Sequence, residues 1–174
     1  MEYTEKTLKK SYIYKGKILK LRVDDVMLCD GTEAKREIIE HSGGACVLCV
    51  ENDKVLLVRQ YRYAYGESVY EIPAGKLNDG ENPRQTAVRE LEEETGYLAS
   101  ETEFLYEIYP TPGYTNERIF IYLAKGLTKT NAHLDDGEFL DVEWIELSKI
   151  KQMLANGEIK DAKTVIALQS YLLQ

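Results

Sequence analysis

Between Gly75 and Tyr97 the chain reads GKLNDGENPRQTAVRELEEETGY, and its second half places Glu90, Glu92, Glu93 and Glu94 within five positions. On a helix, residues three and four apart share a face, so Glu90, Glu93 and Glu94 project together. Like charges so arranged cost about 0.2–0.5 kcal/mol per pair in an isolated helix. One reading is a solvated acidic face, with Arg89 pairing to Glu93 one turn on. The other is a site for a divalent cation. Clustered carboxylate oxygens are hard ligands of the kind Mg²⁺ takes, together with waters and phosphate oxygens. A bound cation turns the repulsion into attraction and lets an acidic chain hold a polyanion.

The chain of 174 residues is acidic, with a net charge of −8, and is 44% hydrophobic and 30% charged. Its length and composition fit one globular domain. The charge argues against a nucleic-acid backbone as partner, because such binding is driven by clustered Lys and Arg. The start, MEYTEKTLKK, has no apolar core of signal-peptide length, and no apolar run approaches membrane-spanning length. The expectation is a cytoplasmic protein with no membrane partner. Three cysteines, few and odd in number, suit a reducing compartment. Cys46 and Cys49 form a C-x-x-C within ACVLCVE. That run reads as a buried strand, which sends residues three apart to opposite sides, and no second pair completes a zinc site.

The elements that must position the glutamates follow from pattern. SYIYKGKILKLRVDDVMLCDG reads as two or three strands turning at Lys15-Gly16 and Asp30-Gly31, and AKREIIEH continues that sheet. GGACVLCVE pairs with KVLLVRQYRY through a turn at Asn52-Asp53. SVYEIPAG reads as a short strand stopped by Pro73 and Gly75. A helix then starts with Asn82 as N-cap and Pro83 at its first position, buries Ala87, Val88 and Leu91, and ends at Gly96. TEFLYEIYP, ERIFIYLAKGL and LDVEWIEL are further strands, with the loop TPGYTN and the acidic loop HLDDGEF between them. Two helical segments follow from Ser148.

The stretch from Gly75 resembles the Nudix box, G-x5-E-x7-R-E-U-x-E-E-x-G-U with U apolar or aromatic. Gly75, Glu81, Arg89, Glu90, Leu91, Glu93, Glu94, Gly96 and Tyr97 fill every fixed position. The resemblance implies an α/β fold: an α/β/α sandwich around a mixed sheet, here with an N-terminal antiparallel β-sheet. It divides the chain into residues 1–40, N-terminal strands that serve dimerisation and substrate covering, and residues 41–174, the Nudix hydrolase domain. It also implies Mg²⁺-dependent hydrolysis (Mn²⁺ being an alternative ion) of a nucleoside diphosphate linked to another group. By carry-over, Glu90 and Glu94 are the main metal ligands, joined by Glu93 or by the main-chain oxygen of Ala74. Glu81 lies near the metals, and Arg89 orients the glutamates.

Pro112 and Gly113 in YPTPGYTNER, sixteen and seventeen residues after Gly96, resemble the ADP-ribose pyrophosphatase subgroup, as do VLLVRQYRY, YEIPAGKL and GEIKDAKTVIALQSYL. That resemblance implies ADP-ribose as substrate; another sugar nucleotide such as GDP-mannose, or a silent domain that senses ADP-ribose, is the alternative. Glu138 is its candidate general base, with Asp135 and Asp136 as rivals. Arg62 is the favoured phosphate contact, since Arg59 and Arg62 face opposite sides of a regular strand. Glu71 is assigned to the adenine or a ribose, Glu117 to the terminal ribose or a metal. Arg36, with Glu37, reaches the substrate from the N-terminal sheet, on this reading that of a second subunit. Members of the subgroup are homodimers that exchange N-terminal strands, and the alternating Tyr, Ile, Leu and Val of Thr7–Val26 suit an exchanged sheet. Light scattering at micromolar concentration is therefore expected to return the mass of a dimer; a monomeric mass overturns the exchange.

Overall fold

The structure is a computed structural model that describes residues 3–174. The chain forms two compact units. The smaller is an antiparallel sheet of β1 (Lys6–Lys15), β2 (Leu19–Met27) and β3 (Glu33–His41), in that spatial order. The segment Tyr109–Arg118 belongs to the same unit. It is laced to β3: the Ile39 N–H donates to the Tyr114 carbonyl (2.7 Å), and the Asn116 N–H to the Ile39 carbonyl (3.2 Å). Leu8, Tyr12, Ile13 and Tyr14 of β1 are solvent-exposed.

The larger unit is a three-layer sandwich, and β4 (Gly44–Glu51) is its central strand. Residues 45–49 are buried on both faces, as a nearly continuous apolar run requires. The sheet runs β10 (Leu140–Glu146), β5 (Lys54–Arg62), β4, β9 (Ile119–Lys129), β8 (Tyr97–Ile108); β6 (Glu67–Glu71) pairs with β5 and β7 (Ala74–Lys76) with β4. Only the β4–β9 pair is parallel. On one face Ala45, Val47 and Cys49 pack with Ala87 and Leu91 of α1 (Pro83–Thr95). On the other, Cys46 and Leu48 pack with Ile150 and Met153 of α2 (Leu147–Ala155) and with Ala167 and Leu168 of α3 (Ala162–Leu172). Cys46 and Cys49 thus sit in different layers, and burial pushes both thiols up to about 12, which leaves them inert. The fold is the mixed α/β sandwich with an N-terminal antiparallel sheet that the sequence implies.

Local chemistry sets the punctuation. Asn52 and Asp53 both take positive φ (49° and 59°), so the β4–β5 hairpin turns on two residues that tolerate the left-handed region. SVYEIPAG stops before Pro73 as the sequence reads, but Gly75 does not end it. Its strand breaks at Ile72-Pro73 and resumes as β7, with Gly75 paired to Ala45. Pro73 has no N–H to give, but its carbonyl accepts from the Val47 N–H at 3.0 Å and keeps the two segments joined to β4. Strand β8 begins directly after α1, five residues before TEFLYEIYP. Among the described residues no helix is long and apolar enough to cross a membrane.

α1 starts where the sequence says. The Asn82 side chain accepts from the Arg84 N–H, and Pro83 occupies the first turn. It ends on Gly96 at φ 66°, whose N–H caps the Glu92 carbonyl. A Cβ on Gly96 would lie 2.7 Å from the Ala132 nitrogen. Gly96→Ala is therefore expected to cost about 1–3 kcal/mol, read as a lower urea midpoint, because it adds a clash to a strained φ. An unchanged midpoint contradicts that account of the cap.

Candidate active site

Glu90 and Glu93 of α1 and Glu81 of the loop before it converge on one guanidinium. Arg89 Nε donates to Glu81 Oε1 (2.9 Å) and Nη2 to Glu81 Oε2 (3.1 Å). Nη1 donates to Glu90 Oε1 (2.6 Å) and Glu93 Oε2 (2.7 Å). Its Nη2 also reaches the Lys76 carbonyl at 3.3 Å. The Arg89 hydrogen bonds hold the Glu81 carboxyl down at about 2, and the Glu81 contact in turn raises the pKa of Arg89. Arg89 therefore fastens the loop carrying Glu81 to the helix carrying the other acids.

Glu90 and Glu94 also lie against β7. A Cβ on Gly75 would fall 1.8 Å from the Glu90 carboxyl carbon, so β7 admits that carboxylate only because position 75 is glycine. Glu94 is 4% exposed and accepts a hydrogen bond from the Ala74 N–H at 3.1 Å. Burial pushes its carboxyl up to about 8; the Ala74 N–H and Lys163 oppose the rise, while the charges of Glu90 and Glu138 add to it. Burial also raises Glu90; Arg89 opposes the rise without cancelling it, and the charges of Glu93 and Glu138 add to it. Buried Glu94, with no cation bonded to it, and half-buried Glu90 beside it, whose carboxyl stays raised despite Arg89, are a donor set that fits a hard divalent cation. Among the described residues no three acidic, His or Cys side chains are gathered tightly enough to close on an ion. Glu90 and Glu93 lean on Arg89, and Glu94 on Ala74.

Glu138 is delivered by the loop after β9. The Thr130 N–H donates to the Gly96 carbonyl (2.7 Å) and the His133 N–H to the Glu93 carbonyl (2.8 Å), which pins that loop to the C-terminal end of α1. Glu138 Oε1 accepts from Gln60 Nε2 of β5 at 3.2 Å, and its charge is felt at Glu90 and Glu94. Asp135 and Asp136 are exposed; the Asp135 carbonyl accepts from the Glu138 N–H at 3.0 Å.

Arg62 and Glu71 form a forked ion pair across β5 and β6, Nε to Oε1 at 2.5 Å and Nη2 to Oε2 at 2.8 Å. Lys163 of α3 donates to the same Glu71 Oε2 at 2.5 Å and pairs with Asp161 at 3.0 Å. Burial works to raise the Glu71 carboxyl, but Arg62 and Lys163 outweigh it and hold it below the ordinary value. Arg59 points the other way and lies over the Tyr70 ring at 5.6 Å. Sequence reading missed Lys163 and Gln60. Neither sits in a motif, and each meets its partner only through the fold.

The remaining candidates lie in the smaller unit. Arg36 is held by Glu5, with Nε to Oε2 at 2.9 Å and Nη2 to Oε1 at 2.5 Å. Pro112 and Glu117 line a cleft of about 400 Å³ with Tyr109, Thr115, Asn116 and Arg118, and Gly113 lies in the same segment. The Glu117 carboxylate is 3.4 Å from His41 Nδ1.

Residues 40–168 match the NUDIX domain, and residues 5–39 the nucleoside diphosphate sugar hydrolase N-terminal domain. The chain belongs to the Nudix family and is a Nudix hydrolase of the nucleoside diphosphate sugar class. It is 46% identical to the methanol dehydrogenase activator of Bacillus methanolicus over 99% of this chain and 95% of that one. It is 40% identical to the ADP-ribose pyrophosphatase of Bacillus subtilis, covering 95% and 91% of the two chains. A solved structure described as an ADP compounds hydrolase superposes with a TM-score of 0.83 at 21% identity, covering 97% and 91%, which shows the shared fold.

The buried Glu94 carboxyl makes metal-free stability depend on pH. Its folded pKa, about 8, lies above the ordinary carboxylate value, so the folded state keeps a proton that the unfolded chain releases. Stability therefore falls as pH rises from about 4.5 to about 8, at most by roughly 1.4 kcal/mol per pH unit for this group. In EDTA, denaturation midpoints are expected to drop across that window in wild type and much less in Glu94→Gln, which is the more stable of the two at pH 8. Parallel curves overturn this account.

Proposed function

We propose that the protein hydrolyses the diphosphate of ADP-ribose to AMP and ribose 5-phosphate, with Mg²⁺ as cofactor and Mn²⁺ as an alternative ion. The observation that carries the chemistry is the pair of carboxylates set against β7, half-buried Glu90 where Gly75 leaves room for it and buried Glu94 on the Ala74 N–H. The 40% identity with an ADP-ribose pyrophosphatase over nearly the whole chain supports the choice of substrate.

In this reading Glu90 and Glu94 hold the metal, with Glu93, Glu81 or the Ala74 carbonyl completing the set. Bound Mg²⁺ supplies positive charge that offsets the diphosphate oxygens and lowers the pKa of water. Glu138 takes the proton of the attacking water, and its closeness in charge to Glu90 and Glu94 supports that place. Arg89 holds Glu81, Glu90 and Glu93 in register. Arg62 donates to the diphosphate, a charge-assisted contact. Arg36, Pro112, Gly113 and Glu117 are assigned to the nucleoside and the terminal ribose; Glu71, read from the sequence as a further contact there, is buried and has both carboxylate oxygens taken by Arg62 and Lys163. The outward Leu8, Tyr12, Ile13 and Tyr14 of β1 support a homodimer built by strand exchange.

The likeness to a methanol dehydrogenase activator favours a second reading, in which the hydrolase also acts on a dehydrogenase. Turnover of purified methanol dehydrogenase with and without the protein tests it directly.

The primary test is product analysis after incubation with ADP-ribose and Mg²⁺ in ¹⁸O-water. Wild type is expected to yield AMP and ribose 5-phosphate, one of them labelled. Glu94→Gln and Glu138→Gln should each lower kcat by about 10²-fold or more, the scale of lost general acid–base or metal positioning. No turnover by wild type moves the substrate to another sugar nucleotide; full turnover by Glu94→Gln removes the metal face.

A further inference from the structure

Lys163 occupies a poor position for a lysine. It lies in the first turn of α3, where the helix dipole disfavours a cation, and its side chain is only 11% exposed. Its partners explain what holds it there. Glu71, whose side chain is 3% exposed, and the helix N-cap Asp161 both contact the ammonium. The helix is fixed to the same place by a second route. The Ile72 N–H donates to Thr164 Oγ1 (2.9 Å), which donates to Asp161 Oδ2 (2.6 Å). Position 163 is thereby tied to the residue that follows Glu71 as well as to Glu71 itself.

The consequence falls on Arg62. Glu71 takes Nε and Nη2 of the guanidinium, one on each carboxylate oxygen, and Lys163 takes a further lone pair of Oε2. A carboxylate gripped from both sides cannot rotate, so the plane of the guanidinium is fixed as well. Nη1 of Arg62 takes no partner among the described residues, and the side chain is 42% exposed. One donor edge of a long, otherwise flexible side chain is thus held in place before any anion arrives, and the cost of ordering it on binding is avoided.

We propose that Lys163 is a positioning residue that acts through Glu71 to hold the free edge of Arg62 ready for the substrate diphosphate. The inference rests on the reading of Arg62 as the diphosphate contact. It makes Glu71 part of the scaffold behind Arg62, and it gives α3 a role in substrate binding although Lys163 itself touches no substrate.

The test is equilibrium titration of the full chain, with Mg²⁺, against the non-hydrolysable α,β-methylene analogue of ADP-ribose. The variants are Arg62→Gln, Lys163→Met, Lys163→Arg and the double variant Arg62→Gln/Lys163→Met, each checked for cooperative melting. Arg62→Gln is expected to weaken binding about 10- to 100-fold, the scale of a lost charge-assisted hydrogen bond. Lys163→Met should weaken it about 3- to 30-fold. Lys163→Arg should recover most of that loss, and the double variant should bind no worse than Arg62→Gln alone. If Lys163→Met does not fold, the shorter neutral Lys163→Gln takes its place in the cycle. Two kinds of failure are distinct. Failure of wild type to bind, or wild-type affinity in Arg62→Gln, removes the diphosphate contact and the inference with it. Weak binding by Arg62→Gln with normal binding by Lys163→Met, or losses that multiply in the double variant, overturns the relay alone and leaves Lys163 a structural ion pair.

Discussion

One guanidinium makes the acidic cluster of the larger unit possible. Glu81, Glu90 and Glu93 all bond to Arg89, and without it their charges would face each other across a few ångströms of partly desolvated space. At an effective dielectric constant near 20, two unit charges about 4 Å apart repel by about 4 kcal/mol, several times the cost of the same pair on a solvated helix. Arg89 converts that repulsion into a clasp between the loop before α1 and the helix itself. Glu94 lies beyond its reach. That carboxyl is left with a single backbone hydrogen bond and a raised pKa, so the fold stores an electrostatic demand at the point where a cation is proposed to bind.

Meeting that demand depends on backbone positions with no side chain. Gly75 lets β7 come against the Glu90 carboxylate, and Gly96 ends α1 so abruptly that the loop after β9 can bond to its last carbonyls. The same loop carries Glu138 to Gln60 of β5. Helix end, loop and strand therefore form one continuous support, and the acids it carries come from residues 44 positions apart in sequence, Glu94 and Glu138. On the opposite layer α3 contributes the cation Lys163, whose charge reaches both Glu71 and Glu94. The site draws on both helical layers, while the apolar cores beneath them need only bury Ala87 and Leu91 on one side and Ala167 and Leu168 on the other.

Much of this was legible in the sequence, for local reasons. Asn82, Pro83 and Gly96 are stereochemical instructions that act within one or two turns, and they bound α1 as read. The convergence of Glu90, Glu93 and Glu94 follows from helical period alone. The Asn52-Asp53 turn and the opposed faces of Cys46 and Cys49 follow from strand geometry in the same way. At SVYEIPAG the stop at Pro73 is legible, but the strand that resumes through Gly75 on a different partner is not, because no local rule specifies that partner.

The sequence by itself determined the helix, its acidic face, the glycines that flank it and, through the Nudix box, the family. Those are properties of residues close enough in the chain to constrain one another whatever the rest does. Tertiary structure alone decided that Tyr109–Arg118 joins the N-terminal strands, that Gln60 meets Glu138, and that Glu71 is shared between Arg62 and Lys163. The last of these contacts spans 92 residues. Pairings of that kind carry no periodic signal, because what selects them is the low dielectric of a packed interior, where a charge must find an opposite one wherever the chain happens to supply it.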